Sequence, residues 1–218
     1  MSEVIKNIPY TINTKTLKQE LLIKNIEDYK QFLQMVEEAR QIAAPAAIYR
    51  EVYIDKKGDD YLITDGFKLE SKLLRDNIAD NQRVFLYVLT IGKELDSWAR
   101  KYTGILEAYW AEEIQKKVLS SAAFYLAKLI DILIGNGIIS EMNPGSLADW
   151  PIEEQSKLFA LLGDVEGEIG VRLTNSYLML PAKSLSGLRF PGQSKFQNCQ
   201  LCQRENCPDR RVPFSGMT

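Results

Sequence analysis

The fifty residues EMNPGSLADWPIEEQSKLFALLGDVEGEIGVRLTNSYLMLPAKSLSGLRF, positions 141–190, decide how the rest of the sequence is read. Pro144-Gly145 is a turn signal that opens a loop closed by Trp150-Pro151. Leu158, Phe159, Leu161 and Leu162 recur at helical spacing and predict a short amphipathic helix over 152–162. Two extended segments punctuated by Gly and Pro follow, the first beginning at Ile169 and the second running through the turn residues 179–187.

Immediately upstream, residues 105–134 place Leu106, Tyr109, Trp110, Ile114, Val118, Ala122, Phe124, Leu126, Leu129 and Leu133 on one broad apolar face. That pattern predicts a long helix, ended by Gly135-Asn136-Gly137 as a left-handed cap. Tyr109 and Trp110 read as core packing rather than as the wall of a ligand cleft. The nearly continuous apolar run VFLYVL at 84–89 predicts a buried central strand, which Thr90-Ile91-Gly92 ends before a helix to Ala99. Alternation over 47–54, a polar turn over 55–60 and YLIT at 61–64 predict a hairpin, and 70–78 reads as a helix.

At the N-terminal end, 8–12 alternates like an edge strand. Thr14 is placed to cap a helix carrying Leu17, Leu21 and Leu22, and 27–43 predicts a second helix whose core stripe is Phe32, Leu33, Val36 and Ala39. Pro45 stops it. Strands mixed with segregated helices, without strict alternation, predict an α+β fold built on a mainly antiparallel twisted sheet with helices packed against it. The expected division is an N-terminal helical segment 1–45, an α+β core 46–196 and a Cys-rich tail 197–218.

Composition narrows the function classes. A chain of 218 residues with 45% apolar and 26% charged residues can bury a substantial core, and a net charge of -2 gives no polyanion-binding surface. Nucleic acid and membrane are therefore not expected partners; the start of the chain has no apolar run behind its charges, and the expected location is cytoplasmic. The sequence contains no histidine. A Ser-His-Asp or Cys-His catalyst, a His-bearing zinc site and an imidazole ligand to a corrinoid cobalt are thus excluded from this chain's own residues.

All three cysteines, Cys199, Cys202 and Cys207, fall within nine residues. Clustering of this kind points to metal or redox chemistry more than to a disulfide framework. Cys-x-x-Cys lets two thiolates turn toward one ion, and the longer spacing lets the third close over it. A closed zinc site needs a fourth ligand from Asp209, water, a small molecule or another chain, whereas a [4Fe-4S] cluster with one open iron needs none from this protein. Free thiols, or a Cys199-Cys202 disulfide on an exposed tail, are the plain alternative. Arg204, Arg210 and Arg211 favour the thiolate form.

The order of motifs resembles the activation domain of cobalamin-dependent methionine synthase. The matching residues are Pro144-Gly145, the segment IGVRLTNS at 169–176 and the segment MLPAKSLSG at 179–187; Thr90-Ile91-Gly92 resembles that family's Thr-Leu-Gly turn, and Ser194-Lys195-Phe196 its Ser-Lys-Tyr. The resemblance implies the same α+β class and a domain that binds S-adenosylmethionine. It also implies docking on a corrinoid-binding protein or methyltransferase subunit, so that an oxidised corrinoid can be reduced and remethylated. The family loop begins RxxPGY, with its Arg clamping a carboxylate; here Glu141 and Ser146 stand at the Arg and Tyr positions. Stand-alone proteins resembling this domain carry such a Cys-rich tail, which favours a metal centre over free thiols, with an iron-sulfur cluster expected ahead of zinc.

Candidate cofactor-binding residues are therefore Glu141, Pro144, Gly145, Ser146, Lys183, Ser184, Ser186 and Gly187, and candidate metal ligands are Cys199, Cys202 and Cys207. Backbone amides of the Gly-bearing turns are the groups expected to face a ligand or a corrinoid partner. The expected role is an accessory or reactivation protein; the alternative is a small-molecule (S-adenosylmethionine-like) binding module with a structural zinc or metal-free Cys tail, and methyl transfer by this chain itself ranks last.

Overall fold

The computed structural model describes residues 1–135, 137–192, 195–207 and 210–216. Asn136, Ser194 and Asp209, which the sequence offered as part of a helix cap, a motif match and a fourth ligand, lie outside the described residues. In chain order the elements are β1 Glu3–Ile5, α1 Thr14–Glu20, α2 Ile26–Ile42, β2 Ala46–Tyr53, β3 Lys56–Lys57, β4 Tyr61–Thr64, β5 Phe67–Glu70, α3 Lys72–Ile78 and β6 Arg83–Thr90. There follow α4 Lys93–Ala99, α5 Ile105–Ile134, β7 Ile139–Met142, a 3-10 turn Ile152–Glu154, α6 Gln155–Leu162, α7 Val165–Ile169, β8 Arg172–Leu173, β9 Met179–Leu180 and β10 Ser184–Pro191.

The expected α+β class is borne out. Five strands form one sheet in the order β1-β2-β6-β10-β7, every named pair antiparallel. The apolar run at 84–89 lies within β6, the middle strand of this sheet. Its alternate residues serve two cores. Val84, Leu86 and Val88 face a layer that includes Leu74, Trp150, Leu158, Leu162 and Phe190. Phe85, Tyr87 and Leu89 face Ala122, Leu126, Ile130 and Ile134 of α5. Burying one such Leu or Val side chain contributes about 1.5–3 kcal/mol, and the period of two along β6 directs that gain to both faces.

The N-terminal half of α5 belongs elsewhere. Trp110, Ile114 and Val118 pack with Phe32, Met35, Val36 and Ala39 of α2 and with Leu95 and Trp98 of α4 in a helical core. Trp110 is 1% exposed, as core packing requires, whereas Tyr109 is 48% exposed. Local signals explain the helix starts. Asn13 and Asn25 accept from Thr16 N and Glu27 N, and Ser71 accepts from Leu74 N at 2.9 Å.

Several expectations are corrected. The strand at the N-terminal end is Glu3–Ile5, not 8–12: Pro9 has no N–H for a ladder, and Ile8 instead donates its N–H to Pro45 O and is buried. Asn13, not Thr14, caps α1. In α2 the buried face uses Met35, while Leu33 is 37% exposed. Gly135 caps α5 with φ 98° and ψ -171°, which is not the left-handed helical conformation. The segment expected as one strand from Ile169 begins as the end of α7, with Gly170 as a left-handed cap, and only Arg172–Leu173 is strand.

Candidate functional site

The organising stretch builds one side of a cavity. β7 and β10 pair antiparallel, with Leu188 opposite Met142 and Arg189 opposite Glu141. Glu141 is therefore on a strand and not in the Pro-Gly loop, and Ser184, Ser186 and Gly187 lie in β10 and not in a turn. The loop itself is closed as expected: Gly145 N donates to Trp150 O at 2.8 Å, and Trp150 is 1% exposed. Gly145 has φ +77°, and a Cβ there would come within 3.0 Å of Ile152 Cβ, so this turn needs glycine twice over.

Between the sheet and α5 lies a cavity of about 730 Å³. Its apolar wall comes from α5 and includes Leu119, Ala123 and Phe124, its floor holds Tyr87 and Asn143, and the C-terminal segment brings Cys199 and Arg211 to it. A second cavity of about 510 Å³ adjoins it and shares Phe124, Ala127, Glu141 and Arg189.

Polar groups on the cavity floor form one network. Tyr87 donates its hydroxyl to Glu141 Oε1 at 2.7 Å, and Asn143 Nδ2 donates to Tyr87 Oη at 3.0 Å and to Ser186 O at 2.8 Å. Arg189 reaches Glu141 Oε2 at 2.7 Å and Asp131 Oδ1 at 2.5 Å. Arg211 reaches Glu141 Oε1 at 3.4 Å. Burial works against an ionised Glu141, yet Arg211, Arg189 and the Tyr87 hydroxyl together hold its carboxyl below the usual range. Burial, with the Glu141 charge next, pushes the Tyr87 phenol far up, so that it stays a donor.

The tail is tied to the sheet. Glu141 N donates to Phe196 O, Phe196 N donates to Ser140 Oγ, and Asn198 Nδ2 donates to Asn143 O. Phe196 is buried in the sheet core. Beyond it, Arg210 gathers three carbonyls, those of Cys199 at 2.7 Å, Cys202 at 3.0 Å and Arg204 at 2.5 Å. Burial opposes ionisation of Cys199, but the Arg211 backbone N–H and guanidinium and the Val212 N–H outweigh it and lower the thiol's pKa.

Of the residues proposed from sequence, Glu141, Lys183, Ser184 and Cys199 line the cavity. Pro144, Gly145 and Ser146 form the adjoining turn and do not line it. Ser186 points its hydroxyl to Gln155 Oε1 at 2.6 Å, and Gly187 makes room for Asn143. Cys199, Cys202 and Cys207 carry free thiols, and among the described residues no group of three or more His, Cys, Asp and Glu side chains is arranged to hold a metal ion. Sequence reading missed Tyr87, Asn143 and Arg189. A tyrosine inside VFLYVL and an arginine between Leu188 and Phe190 were the available signals, because a polar group in a buried run needs a partner.

Fold and site together define an α+β module with a cavity between helix and sheet, strapped by its own C-terminal segment. Residues 143–211 match the family described as vitamin B12 dependent methionine synthase, activation domain. The fold is similar to that in the crystal structure of the MetH reactivation domain bound to AdoHcy, with TM-score 0.59 and 15% identity over 90% of this chain and 80% of that one. No curated protein sequence matches the chain. The resemblance carried by the motifs between Pro144 and Gly187 is thereby borne out.

Proposed function

We propose that this chain is a reactivation factor for a corrinoid-dependent methyltransferase of the methionine synthase type. It docks on a corrinoid-binding partner in the cytoplasm and supports return of that partner's oxidised cobalt to the reduced, methylatable state. The observation that carries the reading is the position of the family-matched stretch: residues 143–211 supply the β10 side of the cavity and the strap over it. A chain without histidine offers no imidazole to cobalt, which supports a corrinoid held by the partner. Among the described residues no helix is long and apolar enough to cross a membrane.

The spacing of Cys199, Cys202 and Cys207 supports an iron-sulfur centre, with zinc as its alternative, as the electron-handling part of this role. The test is to add the chain, under anaerobic conditions with a chemical reductant and S-adenosylmethionine, to a corrinoid methyltransferase in its cob(II) form. Faster loss of the cob(II) spectrum than without the chain supports the proposal; an unchanged rate sinks it. Iron and sulfide determined on the same protein decide the metal part separately.

A second reading, a small-molecule-binding module, is favoured by the cavity itself. The solved neighbour holds AdoHcy, and S-adenosylmethionine is the ligand by analogy here. It is tested by titrating the chain alone with both compounds.

A further inference from the structure

The C-terminal strap carries all three thiols, and the stretch that holds two of them is wound into a single turn. Leu201 N and Cys202 N both donate to Asn198 O, at 3.1 and 3.0 Å, and Gln200 N donates to Gln197 O at 2.9 Å. Cys199 and Cys202 therefore stand three residues apart on one helical turn, where such side chains share a face with Cβ atoms about 5–6 Å apart. A disulfide needs about 3.5–4.5 Å between the same atoms, so closing this pair asks for a shift of about 1–2 Å within the turn.

The backbone of the two residues faces one way as well. Arg210 Nη1 lies 2.7 Å from Cys199 O and its Nη2 3.0 Å from Cys202 O, so one guanidinium holds both carbonyls. Cys207 is placed differently. Its carbonyl meets the Arg210 backbone N–H at 3.3 Å instead of the guanidinium, and the exposed residues Gln203, Arg204, Glu205 and Asn206 separate it from Cys202. All three thiols are free and half-buried. Cys199 is the one that lines the cavity, so a small molecule entering there meets its sulfur first.

We propose that Cys199 and Cys202 are a thiol-disulfide exchange pair, closed to an intramolecular disulfide by small organic disulfides of the glutathione type, with Cys207 outside the reaction. The Cys199 sulfur attacks the oxidant's S–S bond and displaces one glutathione, which leaves a mixed disulfide. The Cys202 sulfur then attacks Cys199 Sγ and expels the second glutathione. One S–S bond is broken in the oxidant and one is made in the protein; the two thiol protons of the pair end on the two glutathione thiols released. Turning the Cys199 sulfur to Cys202 takes it from the Arg211 guanidinium, which then keeps Glu141 at 3.4 Å. A metal centre on these cysteines and the disulfide exclude one another, and the inference does not rest on the corrinoid role.

The test treats the purified chain, with a metal chelator present and oxygen excluded, with mixtures of reduced and oxidised glutathione. Acid stops the exchange, a maleimide labels the remaining thiols, and peptides are mapped by mass. Cleavage after Lys195 and Arg204 puts Cys199 and Cys202 on one peptide and Cys207 on another, which separates the possible pairings. The expected product is a monomer with a disulfide inside the first peptide and a labelled Cys207, reversed by excess dithiol. Cys207→Ser should form it at a rate within about twofold of the parent, whereas Cys202→Ser should stop at a glutathione adduct on Cys199. A dominant disulfide that contains Cys207, a disulfide between two chains, or three thiols that stay labelled when oxidised glutathione predominates would overturn the proposal. The cob(II) assay is read separately: exchange without reactivation leaves the pair standing, and reactivation without exchange removes the pair alone.

Discussion

The side-chain amide of Asn143 fills the space that a β-carbon on Gly187 would need: the two would stand 2.5 Å apart. Met142 O would lie at 2.7 Å and Tyr87 Oη at 3.0 Å from the same carbon. We expect Gly187→Ala to destabilise the protein by about 2 kcal/mol, from strain and from the loss of Asn143's bonds to Tyr87 and Ser186. Adding Asn143→Ala should not restore stability, because the Met142 carbonyl belongs to the backbone and cannot step aside. Denaturant midpoints of the two variants check both statements.

Glu141 gives a pH signature. Its folded pKa is depressed below the ordinary 4.5, so its stabilising contribution is present above that value and is lost as the pH falls through the folded value. Glu141→Gln is expected to cost about 3 kcal/mol at neutral pH, since Arg189 then keeps only Asp131 while 12% exposed. The difference from the parent protein should narrow below pH 4.5. Chemical denaturation on both sides of that pH measures it; a difference that stays constant would contradict the assignment.

Arg210 is the clip of the tail. Arg210→Ala removes donors from the carbonyls of Cys199, Cys202 and Arg204 and changes no residue of the three hydrophobic cores. Alkylation of Cys202 by iodoacetamide should accelerate about tenfold, the equivalent of roughly one hydrogen bond's net contribution to a local opening. The global unfolding midpoint should hardly move.

Trp110 probes the helical core. It is 1% exposed and meets Phe32 edge-on, with ring centroids 6.0 Å apart. Trp110→Ala is expected to cost about 3–5 kcal/mol, whereas Tyr109→Ala, at a side chain 48% exposed, should cost well under half of that. Paired equilibrium unfolding curves compare them.

What was legible in the sequence was what periodicity writes. β6 and α5 could be read because each repeats its apolar residues over many positions, and the Pro144-Gly145 and Trp150-Pro151 punctuation located the loop between them. Ser184, Ser186 and Gly187 were read as a turn because small and hydroxylated residues favour turns. In the fold those residues sit opposite Thr90, Val88 and Tyr87, and tertiary pairing decides their conformation. Only Glu141, Lys183, Ser184 and Cys199 of the expected site meet at the cavity, because the folding back of the tail that brings Cys199 and Arg211 beside Glu141 depends on contacts about seventy positions apart in the chain. No local pattern encodes such a contact.

The division of α5 between two cores has a thermodynamic consequence. Its first half completes the helical cluster and its second half covers the sheet, so neither cluster keeps its wall if this helix frays or is cut. The two layers are bound to melt as one cooperative unit, with a single calorimetric transition. A fragment that stops before Ile105 would leave Phe32, Leu95, Phe85 and Leu89 facing water on both sides of the break.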